Sequence, residues 1–200
     1  MTQIKLCGLR RPEDIEAANL LKPEYIGFVF AKKSKRYVDS ATALSLKKAL
    51  DPSIKAVGVF VNEELSEVTE LLNRGVIDIA QLHGSESDEY INDLKKITGK
   101  TVIRAFKITS QEDVDKAVAS PADYVLLDAG AGDGVTFDWS VVKNVERPFF
   151  LAGGLGPANV TDAIRAVKPF AVDVSSGIET DGFKDKDKMT AFVTAVRKEQ

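Results

Sequence analysis

The sequence has 200 residues, close to the size of one ordinary domain, and its net charge of −3 results from 27 basic and 30 acidic side chains. No basic cluster is long enough to neutralise a row of phosphates, which argues against nucleic acid as a partner. Hydrophobic residues make up 44% of the chain and charged residues 28%, a balance typical of a globular protein with a packed core. We therefore expect a single domain over residues 1–200.

Charge and cysteine content also indicate the compartment. Positions 10–16 carry two arginines and three acidic residues where a signal peptide would need an uninterrupted apolar stretch, and the longest apolar runs are only a few residues. We expect a cytoplasmic protein that binds no membrane. Cys7 is the only cysteine, so no internal disulfide can form, and with one histidine it offers few ligands for a metal.

Eight runs rich in Val, Ile and Phe predict strands along the chain. The predicted strands start at Gln3, Tyr25, Lys55, Asp78, Thr101, Asp123, Phe149 and Ala171. Between them, apolar residues at spacings of three and four predict amphipathic helices, as at Ile15, Ala18 and Leu21. A helix is expected after each strand.

Strict alternation of strand and helix predicts a parallel sheet, because each helix supplies the crossover that parallel strands need. Eight such units favour closure into a (β/α)8 TIM barrel. The alternative is an open doubly wound sheet. The stretch after the first predicted strand, Cys7-Gly8-Leu9-Arg10, lacks the glycines of a dinucleotide site, which argues against that alternative.

Side-chain alternation in the first predicted strand places Ile4 and Leu6 on one face and Lys5 and Cys7 on the other. In a barrel the apolar face packs against the helices, so Lys5 and Cys7 are expected to point inward. The last strand repeats the pattern with Asp173 on its inner face. Because the first and last strands are neighbours in a closed barrel, we predict a buried ion pair between Lys5 and Asp173.

Barrel enzymes place their active sites at the carboxyl ends of the strands. Polar residues and glycines are concentrated at the predicted strand ends, and the candidate site residues are Cys7, Arg36, His83, Asp128, Gly154, Ser176 and Gly177. The glycine-rich stretches after the last two strands favour a phosphate site, because their amides can approach an anion closely. The alternative is that these glycines only form tight turns.

The side chains themselves leave alternatives open. Cys7 is either a small buried hydrophobe or a base or nucleophile at the rim. Asp128 is either an acid with a raised pKa or a turn cap, and His83 is equally compatible with a core imidazole. Arg36 belongs either to a solvated loop or to a fork that binds a carboxylate.

Nine short motifs, in order along the chain, together carry a resemblance to one family. They are Lys-Leu-Cys-Gly (5–8), Gly-Phe-Val-Phe (27–30), Ser-Lys-Arg (34–36), Val-Gly-Val-Phe-Val (57–61), Gln-Leu-His-Gly (81–84), Leu-Asp (127–128), Phe-Asp-Trp (137–139), Leu-Ala-Gly-Gly-Leu (151–155) and Asp-Val-Ser-Ser-Gly-Ile-Glu (173–179). Over nearly the whole chain, from Lys5 to Phe192, the sequence resembles the phosphoribosylanthranilate isomerases.

The resemblance implies an Amadori rearrangement of N-(5-phosphoribosyl)anthranilate in tryptophan biosynthesis, without metal or organic cofactor. It implies that Cys7 is the general base and Asp128 the general acid. By the same resemblance, Arg36 binds the anthranilate carboxylate, and the backbone near Gly154, Ser176 and Gly177 binds phosphate. The expected partner is a phosphorylated small molecule, and we expect the chain to act as a monomer or homodimer.

This chemistry is consistent with the residue types, because ring opening needs an acid and removal of the C2 hydrogen needs a base. We expect Lys5 to favour the thiolate of Cys7 and burial to keep Asp128 protonated. The sequence departs from the family at Asp133, where a threonine is usual. A carboxylate there would repel an anionic substrate, so no substrate contact is assigned to this loop.

Two other functions compete with this interpretation. A triose-phosphate-type isomerase would use Lys5, His83 and Asp128, but it leaves Cys7 without a role and requires a longer acidic side chain than aspartate. A non-catalytic barrel that binds a phosphorylated metabolite as a sensor or scaffold is the second alternative, although the sequence contains nothing that resembles an output domain or a partner helix.

Overall fold

The computed structural model describes residues 1–128 and 139–199, and eight parallel strands in these residues close into a barrel. The strands are β1 (Gln3–Cys7), β2 (Tyr25–Val29), β3 (Lys55–Phe60), β4 (Ile79–Leu82), β5 (Val102–Lys107), β6 (Tyr124–Asp128), β7 (Phe149–Ala152) and β8 (Ala171–Val174). Each strand pairs with the next, and β8 pairs with β1. The predicted barrel is confirmed, and every predicted strand start agrees with the structure to within one residue.

In the described part of the chain, seven helices surround the strands: α1 (Pro12–Leu21), α2 (Ser40–Ala49), α3 (Leu65–Asn73), α4 (Asp88–Thr98), α5 (Gln111–Ala119), α6 (Val160–Val167) and α7 (Lys186–Lys198). Between β6 and β7, the described residues contain a short 3-10 helix, Trp139–Val142, where a regular helix was expected. Asp133 lies outside the described residues. Within the described ranges, no helix is both long and apolar enough to cross a membrane.

Capping residues explain where several helices begin and end. The Ser87 hydroxyl accepts a hydrogen bond from the Tyr90 amide at the start of α4, and Gly99 ends that helix in the left-handed conformation. Asp185 caps α7 by accepting from the amides of Asp187 and Lys188. Such caps contribute about 1 kcal/mol each and help to fix the positions of the loops between helices and strands.

Two apolar layers hold the barrel together. Ile4 and Leu6 point outward into the layer between strands and helices, whereas Val57, Leu126 and Phe150 fill the barrel interior. Aromatic rings close the amino-terminal end of the interior, where Phe150 packs against the rings of Tyr25, Tyr124 and Phe170. These rings therefore fill the interior at the end opposite to the carboxyl ends of the strands.

The inner face of β1 carries the predicted charge. Lys5 is fully buried, lies opposite Asp173 in the β1–β8 register, and places its Nζ 2.8 Å from the Asp173 Oδ1. The predicted buried ion pair is confirmed. Because Asp173 neutralises the ammonium, the interior can hold a lysine directly below the site.

A short hairpin follows β8 and completes the rim. After a 3-10 helix, Ser176–Ile178, the strands β9 (Glu179–Thr180) and β10 (Phe183–Lys184) pair antiparallel. The two residues between them, Asp181 and Gly182, both have positive φ angles, 52° and 78°. These angles are typical of a type I′ turn, which sets Glu179 directly opposite Lys184.

Candidate active site

A pocket of about 290 Å³ lies at the carboxyl ends of the strands. Six of the seven predicted site residues line it, namely Cys7, Arg36, His83, Asp128, Gly154 and Ser176. Two larger clefts in the described part of the chain, of about 470 and 620 Å³, contain none of these residues. The convergence of acidic, basic and thiol groups makes the smaller pocket the candidate active site.

Cys7 ends β1 and is 8% exposed, packed against Val29 and Val59. Gly27 lies beside it on β2, and a Cβ at that position would be only 2.7 Å from the Cys7 Sγ. A glycine at position 27 therefore leaves the space that the thiol occupies. Cys7 lines the pocket while it remains buried among apolar side chains, so its role as a base stays a prediction.

The protonation state of Cys7 differs from the expectation. Burial raises the pKa of the thiol and outweighs the opposing charges of Lys5 and Lys184, and the Asp173 carboxylate raises it further. Lys5 does favour the thiolate, as expected, but its charge is largely neutralised by Asp173. The expectation that Lys5 would hold Cys7 as a thiolate is therefore wrong for the ligand-free site, where the thiol is protonated near pH 7.

His83 faces Asp128 across the mouth of the pocket. The His83 Nε2 is 3.6 Å from the Asp128 Oδ2, and the Gln81 Nε2 is 3.1 Å from the His83 Nδ1. The contact with Gln81 orients the His83 ring so that its Nε2 faces Asp128. His83 is thus a pocket residue and not a core imidazole.

Gln81 was not among the predicted site residues, although it is 1% exposed and lines the pocket. Its signal in the sequence is a polar residue on β4 between two apolar ones, Ala80 and Leu82. In a barrel that position points inward, by the same alternation that identified Lys5.

Arg36 forms a bidentate ion pair in place of the solvated side chain that was one alternative. Its Nε and Nη2 donate to the two carboxylate oxygens of Glu179, each at a distance of 2.6 Å. The Lys184 Nζ also donates to Glu179, again over 2.6 Å. Neither Glu179 nor Lys184 was assigned a role from the sequence.

The glycine-rich loops after β7 and β8 approach each other closely. Gly153 and Gly154 have positive φ angles of 94° and 63°, which glycine adopts without strain. Any side chain on Gly177 would overlap the backbone carbonyl of Leu155, so Gly177 packs behind the pocket and does not line it. The phosphate site predicted at Gly154, Ser176 and Gly177 stays a prediction.

A closed (β/α)8 barrel with a cysteine, an aspartate, a histidine and an arginine around one pocket defines an enzyme of small anionic substrates. The family model described as N-(5′-phosphoribosyl)anthranilate (PRA) isomerase matches residues 4–195. The chain belongs to this family, as its motifs indicated, and it is an isomerase of tryptophan biosynthesis that acts on N-(5′-phosphoribosyl)anthranilate.

Individual relatives agree with this assignment. The N-(5′-phosphoribosyl)anthranilate isomerase of Clostridium acetobutylicum is 48% identical, with 99% of each chain covered. The phosphoribosylanthranilate isomerase of Thermotoga maritima superimposes with a TM-score of 0.92 at 35% identity, over 99% of this chain and 100% of that one. Another phosphoribosylanthranilate isomerase structure matches with a TM-score of 0.90 at 35% identity, over 99% of this chain and 100% of that one. It is a complex with reduced 1-(o-carboxyphenylamino)-1-deoxyribulose 5-phosphate.

Proposed function

We propose that Cys7 is the general base and Asp128 the general acid of the isomerisation in this chain. The observation that carries this proposal is that Cys7 ends β1, Asp128 ends β6, and both line the same pocket of about 290 Å³. Residues 1–200 would act as one catalytic domain, which the pairing of β8 with β1 supports.

In the proposed mechanism, Asp128 donates a proton to the ribose ring oxygen while the bond between that oxygen and C1 breaks. The electron pair on the anthranilate nitrogen forms a double bond to C1, which acidifies the hydrogen on C2. Cys7 removes this proton, the electrons of the C2–H bond form a C1=C2 double bond, and the electrons of the C1=N bond return to the nitrogen, which gives an enol. Loss of the enol proton and protonation of C1 then give the ketone product.

The raised pKa of Cys7 makes its thiolate a strong base, although that thiolate is sparsely populated in the free enzyme. The His83 ring faces the carboxyl group of Asp128 at the pocket mouth, with 3.6 Å between Nε2 and Oδ2. Purified protein is expected to remove the fluorescence of phosphoribosylanthranilate in a continuous assay. Failure to do so would contradict the activity in this chain.

The two anionic ends of the substrate are proposed to lie on separate parts of the rim. Arg36, after β2, binds the anthranilate carboxylate, and the phosphate binds near Gly154, Ser176 and Gly177, after β7 and β8. The close approach of the last two loops supports the phosphate position. The amide of Gly156 is excluded from this role because it donates to the Asn159 side chain over 2.8 Å.

Arg36→Met is expected to raise KM for phosphoribosylanthranilate by about tenfold or more and to change kcat much less, because the charged contact is lost in ground and transition states alike. Arg36→Lys should recover little of the affinity, since an ammonium lacks the planar fork. Steady-state kinetics test both variants. An unchanged KM for Arg36→Met would show that another cation binds the carboxylate.

Alkylation of Cys7 by iodoacetamide is expected to be slower than that of free cysteine at neutral pH and to accelerate as the pH rises, because the pKa of the thiol is raised. Mass spectrometry counts the label, which cannot exceed one. The reduced product analogue should block labelling, whereas inorganic phosphate should protect only weakly. If the analogue does not slow the labelling of Cys7, the general base must be another residue.

We further infer a cytoplasmic location and a monomeric or homodimeric state. A phosphorylated substrate does not cross membranes unaided, which supports an enzyme located where the substrate is made. The phosphoribosylanthranilate isomerase from Thermotoga maritima is dimeric, which supports a homodimer. Analytical ultracentrifugation of the purified protein distinguishes the two oligomeric states.

A further inference from the structure

The hairpin after β8 contacts the side chain that is proposed to bind the anthranilate carboxylate. Glu179 and Lys184 face each other across its two-residue turn. Glu179 binds Arg36 from the loop after β2, and Lys184 donates to Glu179. The Arg10 guanidinium joins the same two loops. It donates to the Lys35 carbonyl at 2.7 Å and to the Gly182 carbonyl at 2.9 Å. The hairpin is thus fixed in place relative to Arg36.

We propose that Glu179 and Lys184 are positioning residues that set the orientation and the net charge of Arg36 for carboxylate binding. This inference rests on the proposed role of Arg36. Glu179 and Lys184 do not line the pocket themselves, so they act through the arginine.

The hydrogen bonds define the orientation. A guanidinium group has five N–H donors, and Glu179 accepts one from Nε and one from Nη2. The three remaining donors belong to the Nη1–Nη2 end, which a second carboxylate can bind in a bidentate manner. Because Glu179 holds one edge of the planar group, the other edge is presented in a single orientation to the pocket that Arg36 lines.

Lys184 decides the charge. An arginine paired with a glutamate is neutral overall, and such a pair attracts an anion weakly. Lys184 has a side chain that is only 1% exposed, and its Nζ also donates to the Ser175 carbonyl over 2.9 Å. Its buried charge restores a net charge of about +1 to the triad of Arg36, Glu179 and Lys184, which favours binding of a carboxylate.

Protonation states support this arrangement. Burial alone would raise the pKa of Glu179, but hydrogen bonds from Arg36 and Lys184 lower it to about 2. The bond to Glu179 raises the pKa of Arg36. The carboxylate of Glu179 therefore remains ionised throughout the neutral range. Burial lowers the pKa of Lys184, and the hydrogen bond to Glu179 opposes that shift.

The test compares two ligands by calorimetry: the reduced product analogue and the same compound without its ring carboxylate. The ratio of the two Kd values measures recognition of the carboxylate. We expect Lys184→Met to reduce this ratio at least tenfold because a positive charge is lost. We expect Glu179→Gln to reduce it as well, although that variant adds a net positive charge, so its loss reports on orientation alone. In both variants the Kd of the carboxylate-free compound should change less than about twofold. KM should rise by a similar factor while kcat changes little.

Two controls make the test specific. Glu199 forms a comparable bidentate ion pair with Arg165 on the outer surface, and Glu199→Gln should leave the ratio unchanged. Glu179→Asp keeps the charge but shortens the reach of the carboxylate. It should also reduce the ratio, and it decides the question if a neutral variant fails to fold.

The outcomes separate the two proposals. If Arg36→Met retains the wild-type ratio, the assignment of Arg36 to the carboxylate is wrong. If Arg36→Met reduces the ratio of the two Kd values while the Glu179 and Lys184 variants keep the wild-type ratio, the positioning role is wrong. Equal weakening of both ligands in these variants would indicate a purely structural hairpin and would also overturn the inference.

Discussion

Cys7→Ser is expected to lower kcat by more than about 100-fold, and Asp128→Asn to do the same. A serine hydroxyl has nearly the size of the thiol but is far too weak an acid to supply an anionic base near neutral pH, and an asparagine amide cannot protonate the ring oxygen. Loss of a general acid or base typically costs a factor of 10² to 10⁴. The effect should fall on kcat at saturating substrate more than on KM.

The fluorescence assay gives kcat and KM, and binding of the reduced product analogue shows whether the pocket remains intact. Asp115→Asn, on the exposed surface of α5, provides the matched control and should keep wild-type activity. A Cys7 or Asp128 variant with near-normal turnover would remove that residue from the proposed mechanism.

The barrel follows from periodicity that is visible in the sequence. Alternation within β1 and β8 placed Lys5 and Asp173 inside, and closure of the barrel made them neighbours, so a contact between residues 168 positions apart could be predicted. This succeeded because an unpaired charge in the interior is so costly that a lysine at that position requires a partner.

The contacts between loops could not be predicted in the same way. The pairing of Arg36 with Glu179 joins loops after different strands, and their relative position depends on packing that no periodicity encodes. The state of Cys7 was missed for a related reason. The sequence shows that Lys5 lies nearby, but only the structure shows how strongly burial opposes its charge.

Asp173→Asn is expected to lower the free energy of unfolding by about 3–5 kcal/mol, because it leaves the fully buried Lys5 ammonium without its counter-ion. The change is close to isosteric, so loss of charge is its main effect. Guanidinium chloride unfolding, with the slope checked against that of the wild type, measures the loss. The double variant Lys5→Met/Asp173→Asn should recover much of it, because no charge then remains inside.

The pH dependence of the same variant distinguishes a charge effect from a packing effect. In the wild type burial lowers the pKa of Lys5, but Asp173 and Cys7 together raise it above 10.5, so the contribution of Lys5 to stability is complete below pH 10.5 and is lost only above it. Without Asp173, burial lowers that pKa, and the folded variant gains stability as the pH rises toward 10.5. The difference between wild type and Asp173→Asn should therefore shrink from pH 6 to about pH 10. A difference that stays constant with pH would show that Asp173 acts through packing and not through the charge of Lys5.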